Sequence, residues 1–169
     1  AKYKEISLEK EYNETSDYSL YFEKLTQISL QLTSYKGHVN KLDFSDMISK
    51  YIEIVDPPYL DLLIVDEAQD LTPLQWTMVE KIATNAEQVI IAGDDDQAIH
   101  RWTGVNVQRF IDSSNNIKVL NKSYRLPRSV WELSERISRR ISNRIEKEFF
   151  PKEEEGKVDW VWRVGDLPL

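Results

Sequence analysis

Residues 60–70 read Leu60-Asp61-Leu62-Leu63-Ile64-Val65-Asp66-Glu67-Ala68-Gln69-Asp70. The run from Leu62 to Val65 has the near-continuous apolar character of a buried parallel strand. It ends in two adjacent carboxylates, Asp66 and Glu67, and open α/β sheets place their chemistry at the carboxyl ends of their strands. An Asp in that position can hold Mg²⁺ through its water shell, and a neighbouring Glu can polarise an attacking water. A bare hydrophobic-Asp-Glu string is also commonly a strand followed by a solvated acidic turn. Gln69 and Asp70 make this string longer than chance usually supplies.

The next apolar run is residues 88–92, Gln-Val-Ile-Ile-Ala, followed at once by Gly93-Asp94-Asp95-Asp96-Gln97 and then Ala98-Ile99-His100-Arg101-Trp102. Between the two runs, Thr72-Pro73 reads as a helix N-cap with proline in the first helical position. Leu74, Met78, Val79 and Ile82 then recur on one helical face. Strand, acidic turn, helix, strand and polar turn make a βαβ crossover, right-handed by strong default. Gly93 is expected to let the chain bend tightly, and the Gln97 carboxamide can donate to a phosphate oxygen or a water. Three successive Asp residues alone are more often a solvated or loosely cation-binding loop. Their place between a strand and an Arg-Trp pair marks them as part of a site.

These segments carry a family resemblance. Val65-Asp66-Glu67-Ala68-Gln69-Asp70 resembles motif II of the UvrD/Rep-type superfamily 1 DNA helicases, and the stretch Gly93–Trp102 resembles their motif III. Asn121-Lys122-Ser123-Tyr124-Arg125 is similar to their motif IV, and Leu42-Asp43-Phe44-Ser45-Asp46-Met47-Ile48 to the helix that precedes motif II. Any one of the four is weak; their common order is specific.

The resemblance implies an α/β fold. It would be a partial RecA-like P-loop NTPase domain over residues 1–117, a parallel sheet with flanking helices, and the start of a second such domain over 118–169. It implies ATP and Mg²⁺ as cofactors in a longer parent, with Asp66 on the metal and Glu67 as general base. Gln97 would sense the γ-phosphate and Arg125 would be an arginine finger. Tyr124 would stack on adenine, so Tyr124, Gln97 and Arg125 form the nucleotide contacts. His100, Arg101 and Trp102 would face single-stranded or partly duplex DNA, where stacking is worth about 1–3 kcal/mol per base. His100 and Thr103 depart from the pattern, which often has Tyr and Arg there. Movement would be 3′-to-5′, in replication, repair or recombination. Taken alone, Tyr124-Arg125 reads as a strand end with a surface Arg, and Trp102 as a partly buried core residue.

No G-x-x-x-x-G-K-[ST] phosphate loop occurs, and the five glycines (37, 93, 104, 156 and 165) are too scattered to make one. Counterparts of motifs V and VI are not found either. The expectation is an internal fragment of a helicase, holding half an ATPase site and inactive alone. Two alternatives stand beside it: a catalytically dead RecA-like scaffold or binding module, and the motor part of a recombination helicase–nuclease. Glu67, Gln97 and Arg125 speak against the scaffold, which has no use for a base, a sensor and a finger.

Length and composition agree with a soluble globular piece. No run of 18 apolar residues and no secretory signal pattern occurs, so an intracellular, cytoplasmic or nucleoid-associated site is expected, with no membrane partner. Zero Cys excludes disulfides and thiolate metal sites. His38 and His100 lack a second ligand at zinc spacing. Net charge is −7, yet residues 118–147 hold nine Lys/Arg against three Glu, which puts them at +6 and the remainder at −13. A basic stretch on an acidic body can track a phosphate backbone; from Arg136 onward a solvated helix face is the better reading.

Elsewhere, residues 1–16 show no trusted periodicity. A helix is predicted over about 17–34, ended by Gly37. Asp43 should cap a second, with Phe44, Met47, Ile48, Tyr51 and Ile52 as its apolar face, stopped by Pro57-Pro58. Val105–Ile111 reads as a short helix, Ser113–Asn116 as a turn, and Lys118-Val119-Leu120 as a strand. Leu133, Ile137, Ile141 and Ile145 predict one long amphipathic helix, and Val158, Trp160, Trp162 and Val164 a final strand.

Overall fold

The structure, a computed structural model, describes residues 4–14, 21–99 and 104–160. The chain divides into two compact units, Ala1–Phe110 and Ile111–Leu169.

In the first unit, α1 (Leu8–Glu14) forms where no periodicity was legible. Its signal is a single residue: the Ser7 hydroxyl accepts from the Lys10 amide at 3.1 Å. The next helix, α2 (Phe22–His38), runs through Gly37 rather than ending there; the expected start at residues 17–20 lies outside the described residues. The terminator is Asn40, which takes the left-handed conformation at φ 50°. The Lys41 amide donates to Lys36 O (2.9 Å) and the Asn40 amide to Gly37 O (3.3 Å). This is a Schellman ending with Asn in place of Gly.

Asp43 caps α3 (Phe44–Ile54) in a reciprocal box with Asp46, as its side chain predicts. Lys36 Nζ reaches Asp43 Oδ2 at 2.8 Å and Asp46 Oδ2 at 2.6 Å, tying the end of α2 to the start of α3. The Lys36 contact, with the Asp46 amide second, holds the Asp43 carboxyl below its ordinary value. Asp43 and Asp46 hold the Lys36 ammonium above its own. The apolar face of α3 is only half used. Ile48, Tyr51 and Ile52 are partly buried, whereas Phe44 and Met47 are exposed.

The predicted crossover is present. Strand β1 (Leu60–Val65) pairs in parallel with β2 (Ala86–Ile91), in register from Leu60↔Ala86 to Val65↔Ile91. Between them α4 (Pro73–Ala83) starts at the predicted Thr72-Pro73 cap, closed by Gln75 into a second capping box. The expectation of a fully buried strand does not hold, since Leu62, Ile64 and Ile90 are 44%, 61% and 50% exposed. Alternation along β1 puts Leu62 and Ile64 on one face, and this two-stranded sheet leaves that face open among the described residues.

The core lies around α4. Leu74, Trp76 and Val79 are buried with Ala68, Val105 and Val107. Met78 and Ile82, assigned to the same face, are only partly buried, and Trp76, which the periodicity overlooked, is 3% exposed. The short α5 (Val107–Ile111) carries Arg109, whose guanidinium lies over the Trp76 ring at 5.8 Å and pairs with Glu80 at 2.8 Å. A cation that stacks and ion-pairs at once anchors α5 to α4.

The second unit has one helix among its described residues, α6 (Arg128–Ser138). It stops a turn short of Ile141 and Ile145, so the long helix is not formed. The backbone turns back there: the Arg140 amide donates to Ile137 O at 3.0 Å and the Ile141 amide to Ser138 O at 2.9 Å, while Arg139 pairs with Glu135 at 2.9 Å. Its first amides are capped by distant backbone: Arg128 donates to Glu154 O and Ser129 to Glu155 O. Lys118-Val119-Leu120 is not a strand; among the described residues of this unit, pairing is limited to one parallel bridge, Lys122↔Phe150. Val158 and Trp160 are exposed and outside any strand. Trp162 and Val164 lie outside the described residues.

Candidate functional site

The described candidate residues of the first unit stand on two turns, one leaving β1 and one leaving β2. The parallel ladder runs past both strand ends: the Ala92 amide donates to Val65 O (2.7 Å) and the Ala68 amide to Ala92 O (3.0 Å). The two turns are therefore neighbours by backbone pairing alone.

In the first turn, Asp66 and Glu67 are exposed. Asp66 Oδ1 accepts from the Glu67 amide at 2.9 Å. Glu67 itself adopts the left-handed conformation, φ 51° and ψ 37°. A non-glycine residue there carries about 1–2 kcal/mol of steric cost, and such strain persists where the surroundings over-determine it. A short 3₁₀ turn, Ala68–Asp70, follows. Within it Ala68 and Gln69 are among the most buried residues of the chain, at 1% and 2% exposure.

In the second turn, Asp94 is the hub. Its Oδ1 accepts from the Asp96 amide (3.2 Å), and its Oδ2 accepts from Gln97 Nε2 (2.6 Å). Gln97 is exposed, with one N–H committed to Asp94 and its carbonyl oxygen still able to accept. Asp95 is buried. Gly93 has no left-handed φ, so it is not a left-handed conformation that calls for glycine there. Its requirement is proximity: a Cβ there would collide with Gln69 Oε1 and lie 3.0 Å from Phe110 Cζ.

Sequence reasoning missed the link between the turns. Gln69 Nε2 donates to Glu67 Oε2 at 2.7 Å, and Gln69 Oε1 accepts from the Asp94 amide at 3.0 Å. Gln69 was legible only as a lengthening of the acidic string, because its second partner is 25 residues away.

Asp66 is compatible with Mg²⁺. That ion keeps several waters and takes one or two carboxylates, the rest coming from phosphates. A single exposed carboxylate, with Oδ1 engaged by an amide, suits such a role. Among the described residues no cluster of three or more His, Asp or Glu could hold a metal by itself.

In the second unit Ser123 organises the turn that presents Tyr124 and Arg125: its hydroxyl accepts from the Arg125 (3.2 Å) and Leu126 (2.9 Å) amides. Tyr124 is 83% exposed, with Lys122 Nζ 5.4 Å from its ring centre. Arg125 is exposed as well. His100, Arg101 and Trp102, the expected nucleic-acid contacts, lie outside the described residues. No described helix is long and apolar enough to cross a membrane.

Comparison with known proteins gives a consistent picture. Residues 1–118 match the UvrD/REP helicase N-terminal domain. The chain is 26% identical over 129 residues to the ATP-dependent DNA helicase PcrA of Bacillus subtilis, covering 68% of this chain and 18% of that protein. It is 33% identical over 103 residues to the ATP-dependent DNA helicase Rep of Buchnera aphidicola, covering 56% and 15%. It is 27% identical over 128 residues to DNA helicase II of Haemophilus influenzae, covering 68% and 18%. The chain thus spans less than a fifth of the length of these relatives.

Proposed function

Because this chain belongs to the UvrD/REP helicase family through its N-terminal domain, we propose that it forms part of an ATP-driven motor that moves on DNA. The observation that carries the reading is the pairing of the two strand-end turns, with Asp66 and Glu67 on one and Gln97 on the other. Relatives named as ATP-dependent DNA helicases support it.

In this reading the chain contributes part of a RecA-like P-loop NTPase domain and the start of a second, divided near residue 117. Asp66 would hold Mg²⁺, and the ion would supply positive charge against the phosphates. Glu67 accepts a proton from the water that attacks the γ-phosphate of ATP. Gln97 contacts that phosphate and reports its presence. Arg125 supplies positive charge to a transferred phosphoryl group and Tyr124 stacks on a nucleotide base. His100, Arg101 and Trp102 contact single-stranded or partly duplex DNA, aromatic stacking supplying affinity without sequence preference.

Glu67→Gln is the test, made in the whole protein that carries this chain. General-base loss is expected to lower ATP turnover by roughly 10²–10⁴-fold, with nucleotide affinity and melting temperature kept. Turnover at the wild-type rate would remove Glu67 from this role.

A further inference from the structure

We infer that Gln69 is a positioning residue for hydrolysis: its carboxamide fixes the Glu67 carboxylate and locks it to the turn that carries Gln97. The inference rests on the reading of Glu67 as the general base and adds a residue that reading does not use.

Four observations carry it. Gln69 is 2% exposed and is the largest fully buried side chain among the described residues. Burying a carboxamide is costly unless both of its ends are satisfied, so a position needing only volume is better filled by Leu or Met. Both ends are satisfied, and in one orientation only. A carboxylate can only accept and a backbone amide can only donate; hence Nε2 must face Glu67 Oε2 and Oε1 must face the Asp94 amide.

The backbone is shaped around this contact. Gly93 leaves the space that Gln69 Oε1 occupies, and Glu67 holds a left-handed conformation that brings its carboxylate within 2.7 Å of the Gln69 amide. Finally, the connection continues. Asp94, held through its amide, accepts from Gln97 Nε2 through its carboxylate. Glu67, Gln69, Asp94 and Gln97 form an unbroken chain of hydrogen bonds from the base to the sensor. Displacement of Gln97 by a phosphate is thereby felt at Glu67.

Two substitutions separate this role from simple packing. Gln69→Met keeps the volume and loses both bonds. Gln69→Glu keeps an acceptor for the Asp94 amide but turns a carboxylate toward Glu67 in place of the donor. In the whole protein, both are expected to lower kcat for ATP hydrolysis by roughly 10- to 100-fold through misplacement of the base, with KM for ATP little changed. If Gln69 only supports the Asp94 turn, Gln69→Glu will hydrolyse ATP like the wild type while Gln69→Met is slow, and the inference is overturned. Wild-type kcat in both variants overturns it too.

Glu67→Gln, run alongside, tells the two claims apart. Should it hydrolyse ATP normally, the assignment of Glu67 falls and the role of Gln69 with it. Should it be inactive while the Gln69 variants are normal, only the present inference falls. An NMR measurement on this chain covers the case in which the Gln69 variants do not fold. Glu67→Ala is expected to shift both the Gln69 side-chain amide and the Asp94 backbone amide resonances. An Asp94 resonance that stays in place would refute the coupling.

Discussion

The β1–α4–β2 crossover and the segment from residue 111 to 160 are built in different ways. The crossover has two paired strands, a capping box and a cluster of buried side chains around Trp76. The second segment has one helix, a single strand bridge and no buried described residue. What order it has comes from backbone bonds between distant loops, such as the Glu154 and Glu155 carbonyls at the start of α6. Side-chain packing makes the first region resist change at single positions; the second distributes its stability over exposed contacts. The candidate base and sensor stand on the first kind of scaffold, and Tyr124 and Arg125 on the second.

Substitutions can break that contrast. The largest expected effect is Trp76→Ala, which removes a buried ring from between α4 and α5 and should cost about 3–5 kcal/mol. Ile137→Ala, on the exposed face of α6, should stay within about 0.5 kcal/mol. Equal losses in chemical denaturation would show the two regions to be packed alike. Gly93→Ala comes next, at about 1–3 kcal/mol for an overpacked contact. Its more telling signature is local, because Gln69 must move and release Glu67. ATP turnover should therefore fall further than stability, and an active Gly93→Ala protein would mean that the close approach is not needed.

A smaller effect than either buried substitution is expected at the α2–α3 corner. The Asp43 carboxyl is held below its ordinary value of 3.8 by the Lys36 ammonium, then by the Asp46 amide. A depressed carboxyl contributes stability that is complete above that value and lost as pH falls through the folded-state one. Asp43→Ala should cost about 1 kcal/mol at neutral pH, and the variant should lose less than the wild type on acidification below pH 3.8. Asp43→Asn keeps a cap and gives up an exposed ion pair, so less than about 1 kcal/mol should be lost. Identical acid limbs for wild type and Asp43→Asn would show the ion pair to be idle.

The same contrast governs what the sequence made legible. Thr72-Pro73 and Asp43 were readable because a cap needs only its own next few residues. The two strand-end turns were readable because charge follows an apolar run directly. Asn40 was harder, since either it or Gly37 could supply the left-handed residue, and glycine is the stronger prior. Ile141 and Ile145 continued the apolar spacing of α6, but periodicity does not record where the backbone turns back, as it does after Ser138. The open face of β1 was hidden as well, because an apolar run records what a strand prefers and not how many neighbours cover it. Gln69 was least legible of all: its role exists only once Gly93 and Asp94 come up beside it.

Hydrogen exchange on this chain tests most directly the claim that the two strand-end turns form one unit. The Ala68, Ala92 and Asp94 amides should exchange together and slowly, at a rate set by opening of the whole crossover. The Ser123 and Phe150 amides, held by an isolated bridge, should exchange faster. If Ala68 and Asp94 instead exchange at unrelated rates, or as fast as Phe150, the turns open independently and a common site built on both is contradicted.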